Sequence, residues 1–89
     1  MYTVVWTNDA SDQLAACWLN AAPERRAAIT TTVATIDMHL RANAPRIGES
    51  RVRNRRVLIE EPLGIEFRVS ESDRLVTVVK VWSIPQRTM

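Results

Sequence analysis

The chain opens on an alternation. Tyr2, Val4 and Trp6 share one parity while Thr3, Val5 and Thr7 share the other, and a short aromatic and β-branched run of this kind predicts a strand. Thr7, Asn8 and Asp9 then offer side chains that cap a helix. From Ala10 to Asn20 the period changes: Ala10, Leu14, Cys17, Trp18 and Ala21 fall on one helical face, with Asp12, Gln13 and Asn20 off it. Trp6 and Trp18 are both expected in the core. Pro23 suits the first turn of a second helix, and Glu24 places a favourable charge near its positive end. Ile29, Val33, Ile36 and Leu40 recur at helical spacing until Pro45 closes the segment. The two helices form a hairpin joined near Ala21 and Ala22.

Past the loop from Ala44 to Gly48 the period falls to two. Arg51, Arg53 and Arg55 share a parity that Val57 and Ile59 continue, which predicts a strand with three guanidinium groups on one face at its start. Glu60, Glu61 and Pro62 break it. Ile65, Phe67 and Val69 alternate with Glu66 and Arg68, the pattern of a half-buried strand, and a polar turn follows over Ser70 to Asp73. Leu75 to Ile84 is rich in valine, holds Trp82, and reads as a strand buried on both sides until Pro85 ends it. The tail from Gln86 to Met89 is expected to be loose. Strand, helix, helix and three strands in that order predict an α+β domain over residues 1–89: an N-terminal strand, a helical hairpin and a three-stranded antiparallel meander, with the helices packed on one face of the sheet.

Composition adds limits. A chain of 89 residues has room for one core. No apolar run reaches the roughly 18 residues of a membrane span, and no signal segment is visible, so cytoplasmic residence is expected. Cys17 is the single cysteine and reads as a structural thiol. Charge is uneven. Between Arg46 and Arg56 stand five arginines against one acid, Glu49, while the segments on either side are each acidic by a single charge. A local cluster of this sign commonly faces phosphate or an acidic partner. Of the 12 basic residues only Lys80 is lysine.

Several segments together resemble the RelE/ParE superfamily of small bacterial type II toxins. They are Val4-Val5-Trp6-Thr7, Trp18-Leu19, Gly48-Glu49-Ser50-Arg51, Arg55-Arg56-Val57-Leu58, Pro62 to Val69, Asp73-Arg74 and Val76-Thr77-Val78, which span nearly the whole chain. The resemblance implies one of two activities: ribosome-dependent cleavage of messenger RNA, as in toxins similar to RelE, or non-enzymatic poisoning of DNA gyrase, as in those similar to ParE. It also implies a cognate antitoxin that silences the toxin, and leaves open an inactive module that only binds antitoxin. Arg51 and Arg53 stand where working basic residues lie on the first strand after the helices, and Arg87 roughly where a C-terminal one lies. Around Gly64 and Ile65 there is no arginine, and the tail has neither tyrosine nor histidine.

RNA cleavage through the neighbouring 2′-hydroxyl needs a proton removed, a proton delivered, and charge stabilised on the phosphate. Arginine does only the last well. Arg51 and Arg53 are therefore candidates for stabilising the reacting phosphate, with Arg87 added by what the resemblance implies, and Arg46, Arg51, Arg53, Arg55, Arg56, Arg68 and Lys80 for gripping RNA, with Trp82 as a stacking platform. His39, the only histidine, lies at the margin of the buried helical stripe and reads as a boundary residue with a structural bond. Glu60 and Glu61 read as turn acids. No spacing of acids, cysteine or histidine calls for a metal, and no cofactor is expected.

Overall fold

The structure, a computed structural model, describes residues 1–85. Arg87 and the rest of the tail lie outside them. Strand β1 (Thr3–Trp6) leads into helix α1 (Asn8–Leu19), then α2 (Pro23–Asn43) and a single 3₁₀ turn over Ala44–Arg46. Four strands follow: β2 (Glu49–Ser50), β3 (Arg55–Glu60), β4 (Leu63–Ser70) and β5 (Leu75–Ser83). They form one sheet in the order β1-β5-β4-β3-β2, with β1 parallel to β5 and every other pair antiparallel. The α+β arrangement of strand, helical hairpin and meander is thus present, with one strand more than the sequence led us to expect.

The helices form where capping and periodicity place them. The Thr7 hydroxyl accepts the Ala10 N–H at 3.0 Å and starts α1. Arg26, from α2, finishes it: the guanidinium donates to the carbonyls of Trp18 and Leu19, at 2.9 and 3.0 Å, and stacks on the Trp18 ring 4.5 Å from its centroid. Of the two, only the Trp18 carbonyl takes a backbone bond, from the Ala21 N–H at 3.2 Å, so a cation there satisfies spare acceptors and the negative end of the helix together. Along α2, Ile29, Ile36 and Leu40 are fully buried, and the Thr32 hydroxyl bonds the carbonyl of Glu61 at 3.1 Å.

The core lies between the helices and one face of the sheet. Leu63, Ile65, Phe67, Val76, Val78 and Val81 supply the sheet side, with Val4, Trp6, Leu58 and Val69 packed against them. Each such side chain contributes roughly 1.5 to 3 kcal/mol on burial. No helix of the described residues covers the other face of this two-layer fold. There the parity sets Arg55, Val57 and Ile59 of β3 beside Arg68, Glu66 and Gly64 of β4, with Val5 of β1 (41% exposed) and Ile59 (53%) open to solvent.

Strand β5 differs from expectation, because it is buried on one side only. Register runs Phe67 to Val78 and then Glu66 to Lys80, so Val79 is an extra residue, a β-bulge. Up to Val78 the even positions point to the core; after the bulge Val81 does, and Lys80 and Trp82 swing to the open face. Valine at 76, 78, 79 and 81 looks two-sided in sequence because the bulge switches parity in its middle. Gln13 of α1 holds the region, its side-chain oxygen accepting the Val81 N–H at 2.8 Å.

Candidate nucleic-acid interface

The strand expected to begin at Arg51 begins at Arg55. Residues 51–54 instead form the turn of a hairpin between β2 and β3, with Arg53 and Asn54 at φ of 60° and 63°. Two successive left-handed residues match the twist of a tight hairpin, and asparagine tolerates that region better than most residues. Arg51 N–H closes the turn on the Arg55 carbonyl at 2.6 Å. Just before the hairpin, Gly48 sits at φ 72°, where a side chain would run into the carbonyl of Val57.

This turn dismantles the straight row of Arg51, Arg53 and Arg55. Arg51 reaches back to Glu49 at 3.0 Å, and Arg55 pairs with Glu66 across the β3–β4 ladder. Arg56 belongs to the opposite parity, and its guanidinium donates to the carbonyls of Ile47 and Gly48 at 2.8 and 3.2 Å, tying the loop before β2 to β3. It is a structural clamp. Arg46 lies elsewhere, beside Tyr2, Glu71 and Arg74 near the start of β1.

Curling the row does not disperse it. Arg51, Arg53, Arg55 and Glu66, with Val52, line a hollow of about 510 Å³ at the hairpin end of the sheet. A second hollow of about 250 Å³ lies on the other side of Arg53, walled by Arg68, Thr77, Ser70 and the Asn54 turn. Arg55 and Arg68 are register partners, and so are Glu66 and Lys80. The open face therefore carries Arg53, Arg55, Arg68 and Lys80 around Glu66, whose side chain is 19% exposed, with Glu49 two strands over, across Val57, bound to Arg51. Farther along the face the Trp82 indole lies across Gly64, so closely that any Cβ there would overlap the ring. Trp82 is half-buried, with one ring face against backbone, which suits a fixed platform better than a mobile side chain.

Among the sequence candidates, the structure brings together Arg51, Arg53, Arg55, Arg68 and Lys80, with Trp82 on the same face, and sets Arg46 and Arg56 apart. Glu66 was not singled out in sequence, since an acid alternating with apolar residues reads as a solvated strand face. His39 Nδ1 stands 3.6 Å from Glu60, beyond hydrogen-bond distance, on the helix side of the sheet and away from the arginines. Cys17 is half-buried against the core, and desolvation pushes its thiol pKa up, which disfavours the reactive thiolate. Among the described residues no three metal-ligating side chains cluster.

A second surface, on the helix layer, is apolar. Trp18 was expected in the core but is 40% exposed, and Leu19 is 64% exposed. With Trp6, Leu14, Ile29 and Val33 they line a groove of about 740 Å³ between α1 and α2. No helix of the described residues is long and apolar enough to cross a membrane.

No protein-family model matches the sequence, and no curated protein matches it. Solved structures do match. A chain of the chromosomal ParDE toxin–antitoxin system of P. aeruginosa superposes with a TM-score of 0.73 at 22% identity, over 96% of this chain and 98% of that one. The RelBE2 toxin–antitoxin complex of Mycobacterium tuberculosis gives 0.73 at 18% identity, over 92% and 90%. The isolated E. coli RelE toxin gives 0.63 at 13%, over 98% and 88%. The protein has the fold of the RelE/ParE superfamily toxins.

Proposed function

We propose that this protein is the toxin of a type II toxin–antitoxin pair and that, freed of its antitoxin in the cytoplasm, it cleaves messenger RNA on the ribosome. The carrying observation is the open face of the sheet, where Arg53, Arg55, Arg68 and Lys80 surround Glu66 beside the Trp82 platform. Cations there neutralise phosphate, and the fixed indole offers a surface for a base. Arg51 and Arg53 line the same hollow and serve as phosphate contacts. Arg87 keeps the role that the resemblance implies for it, as a second basic group near the reacting phosphate. The antitoxin reading draws on the apolar groove between α1 and α2, which exposes Trp18 and Leu19 well away from the basic face, and on the structural neighbours, which come from toxin–antitoxin systems.

Two observations favour a second reading, inhibition of DNA gyrase without chemistry. The open face holds no histidine or tyrosine among the described residues, and the ParDE chain superposes as well as the RelBE2 one. Two assays separate the readings. Added to a translation extract, the protein is expected to yield shortened messenger while gyrase supercoiling proceeds. Intact messenger together with blocked supercoiling would select gyrase; no effect in either assay would leave an antitoxin-binding module.

A further inference from the structure

We propose that Glu66 and Lys80 are the acid–base pair of the cleavage, Glu66 taking the proton from the attacking 2′-hydroxyl and Lys80 delivering one to the leaving 5′-oxygen. This rests on the ribonuclease reading.

Proton transfer is what the arginines cannot supply, because a guanidinium holds its proton throughout the neutral range. The open face offers groups that can. Glu66 is the acid that lines the hollow walled by Arg51, Arg53 and Arg55, whereas Glu49, also on this face, is 75% exposed and bound to Arg51 outside that lining. Arg55 holds one carboxylate oxygen, Oε2, and fixes the rotamer; Oε1 has no partner among the described residues and is left for a substrate hydroxyl. Lys80 is the only lysine of the chain, is exposed, and forms no ion pair among the described residues.

The bulge brings the two together. Without the extra Val79, Lys80 would take the parity of Val78 and Val76 and face the core; with it, Lys80 lies directly across the ladder from Glu66. Side chains so paired leave the sheet with their Cβ atoms about 4.5 to 5.5 Å apart. A phosphate between their tips would present its attacking and leaving oxygens to opposite sides, one to each group. Arg55 and Arg68, register partners next along the same face, are placed to bind its non-bridging oxygens.

The step balances as follows. Glu66 Oε1 accepts the 2′-hydroxyl proton as the 2′-oxygen forms its bond to phosphorus. The bond from phosphorus to the 5′-oxygen breaks, its electron pair leaves with that oxygen, and the Lys80 ammonium protonates it. The products are a 2′,3′-cyclic phosphate and a 5′-hydroxyl end. Glu66 leaves the step protonated and Lys80 neutral, and exchange with water resets both.

The test uses the full chain in a translation extract, with single-turnover cleavage and ribosome binding measured for the parent, Glu66→Gln and Lys80→Arg. Lys80→Arg preserves charge, so its binding is expected to stay within about threefold, and Glu66→Gln, which preserves shape and frees Arg55, should bind at least as tightly as the parent; cleavage by either falls about 100- to 10,000-fold, the usual share of one acid or base. A messenger carrying sulfur in place of the 5′-bridging oxygen has a leaving group that needs no proton. It should restore cleavage by Lys80→Arg but not by Glu66→Gln, a split no structural role produces. Cleavage by Glu66→Gln within a few-fold of the parent, or failure of the sulfur substrate to rescue Lys80→Arg, would overturn the pair while the ribonuclease reading stands. Messenger left intact by the parent itself would overturn both.

Discussion

The ion pairs on the basic face make a quantitative expectation for salt dependence. Arg51 is tied to Glu49 and Arg55 to Glu66, which leaves Arg53, Arg68 and Lys80 as cations with no acid partner among the described residues. If those three each neutralise one phosphate of a short single-stranded RNA, log affinity should fall with log salt with a slope of about −2, at about −0.7 per phosphate. Replacing Glu66 by Gln releases Arg55 and adds a cation, so the slope should steepen to roughly −3. Replacing Arg53, Arg68 and Lys80 together by Ala should bring it near zero, with the fold intact because all three side chains are exposed. Anisotropy of a labelled oligonucleotide titrated at several salt concentrations reads all three slopes. A parent slope near zero, or a Glu66→Gln slope no steeper than the parent's, would refute the assignment of free and paired cations.

Three further expectations follow from the packing. Gln13→Ala removes the acceptor of the Val81 N–H beside the bulge; stability in urea should drop by about 1 to 3 kcal/mol, and an unchanged midpoint would mean that the bulge needs no such support. Arg26→Ala removes two bonds to the end of α1 and the stacking on Trp18; a loss of about 1 kcal/mol is expected, with Arg26→Lys recovering only part of it because an ammonium cannot span both carbonyls. The Tyr2 hydroxyl donates to Glu71, and this bond, with burial second, raises the phenol above its usual pKa of 10.0. The stabilisation is therefore complete below pH 10 and fades as pH rises through the folded-state value. In Tyr2→Phe that alkaline decline should be smaller in a denaturation series against pH.

The helices were legible in the sequence because their evidence is periodic and apolar. Ile29, Ile36 and Leu40 name the buried face of α2 unaided, and Thr7 announces the start of α1. The basic hairpin was not, because the alternation of Arg51, Arg53 and Arg55 is one of charge, and nothing in a charge pattern requires an extended backbone. Asn54 was the one local hint, being a residue that tolerates left-handed φ. The bulge in β5 was hidden for a related reason: valines at consecutive positions read the same whether a strand is buried twice or switches parity once. Trp18 fits the apolar stripe of α1, but periodicity does not say how much of such a stripe its neighbours cover, and Trp18 is left 40% exposed on the groove between α1 and α2. Glu66 became visible only through register, one position along the same face from the Arg55–Arg68 pair, where it takes the Arg55 guanidinium diagonally, and directly opposite Lys80 on the next strand.

The account places RNA on the open sheet face and the antitoxin in the helix groove, and the three tryptophans report on that division directly. Trp82 lies on the sheet face, while Trp6 and Trp18 line the groove. In a two-dimensional NMR spectrum of the indole N–H groups, adding single-stranded RNA should move the Trp82 resonance and leave that of Trp18 in place. Movement of Trp18 with Trp82 unchanged would contradict the account.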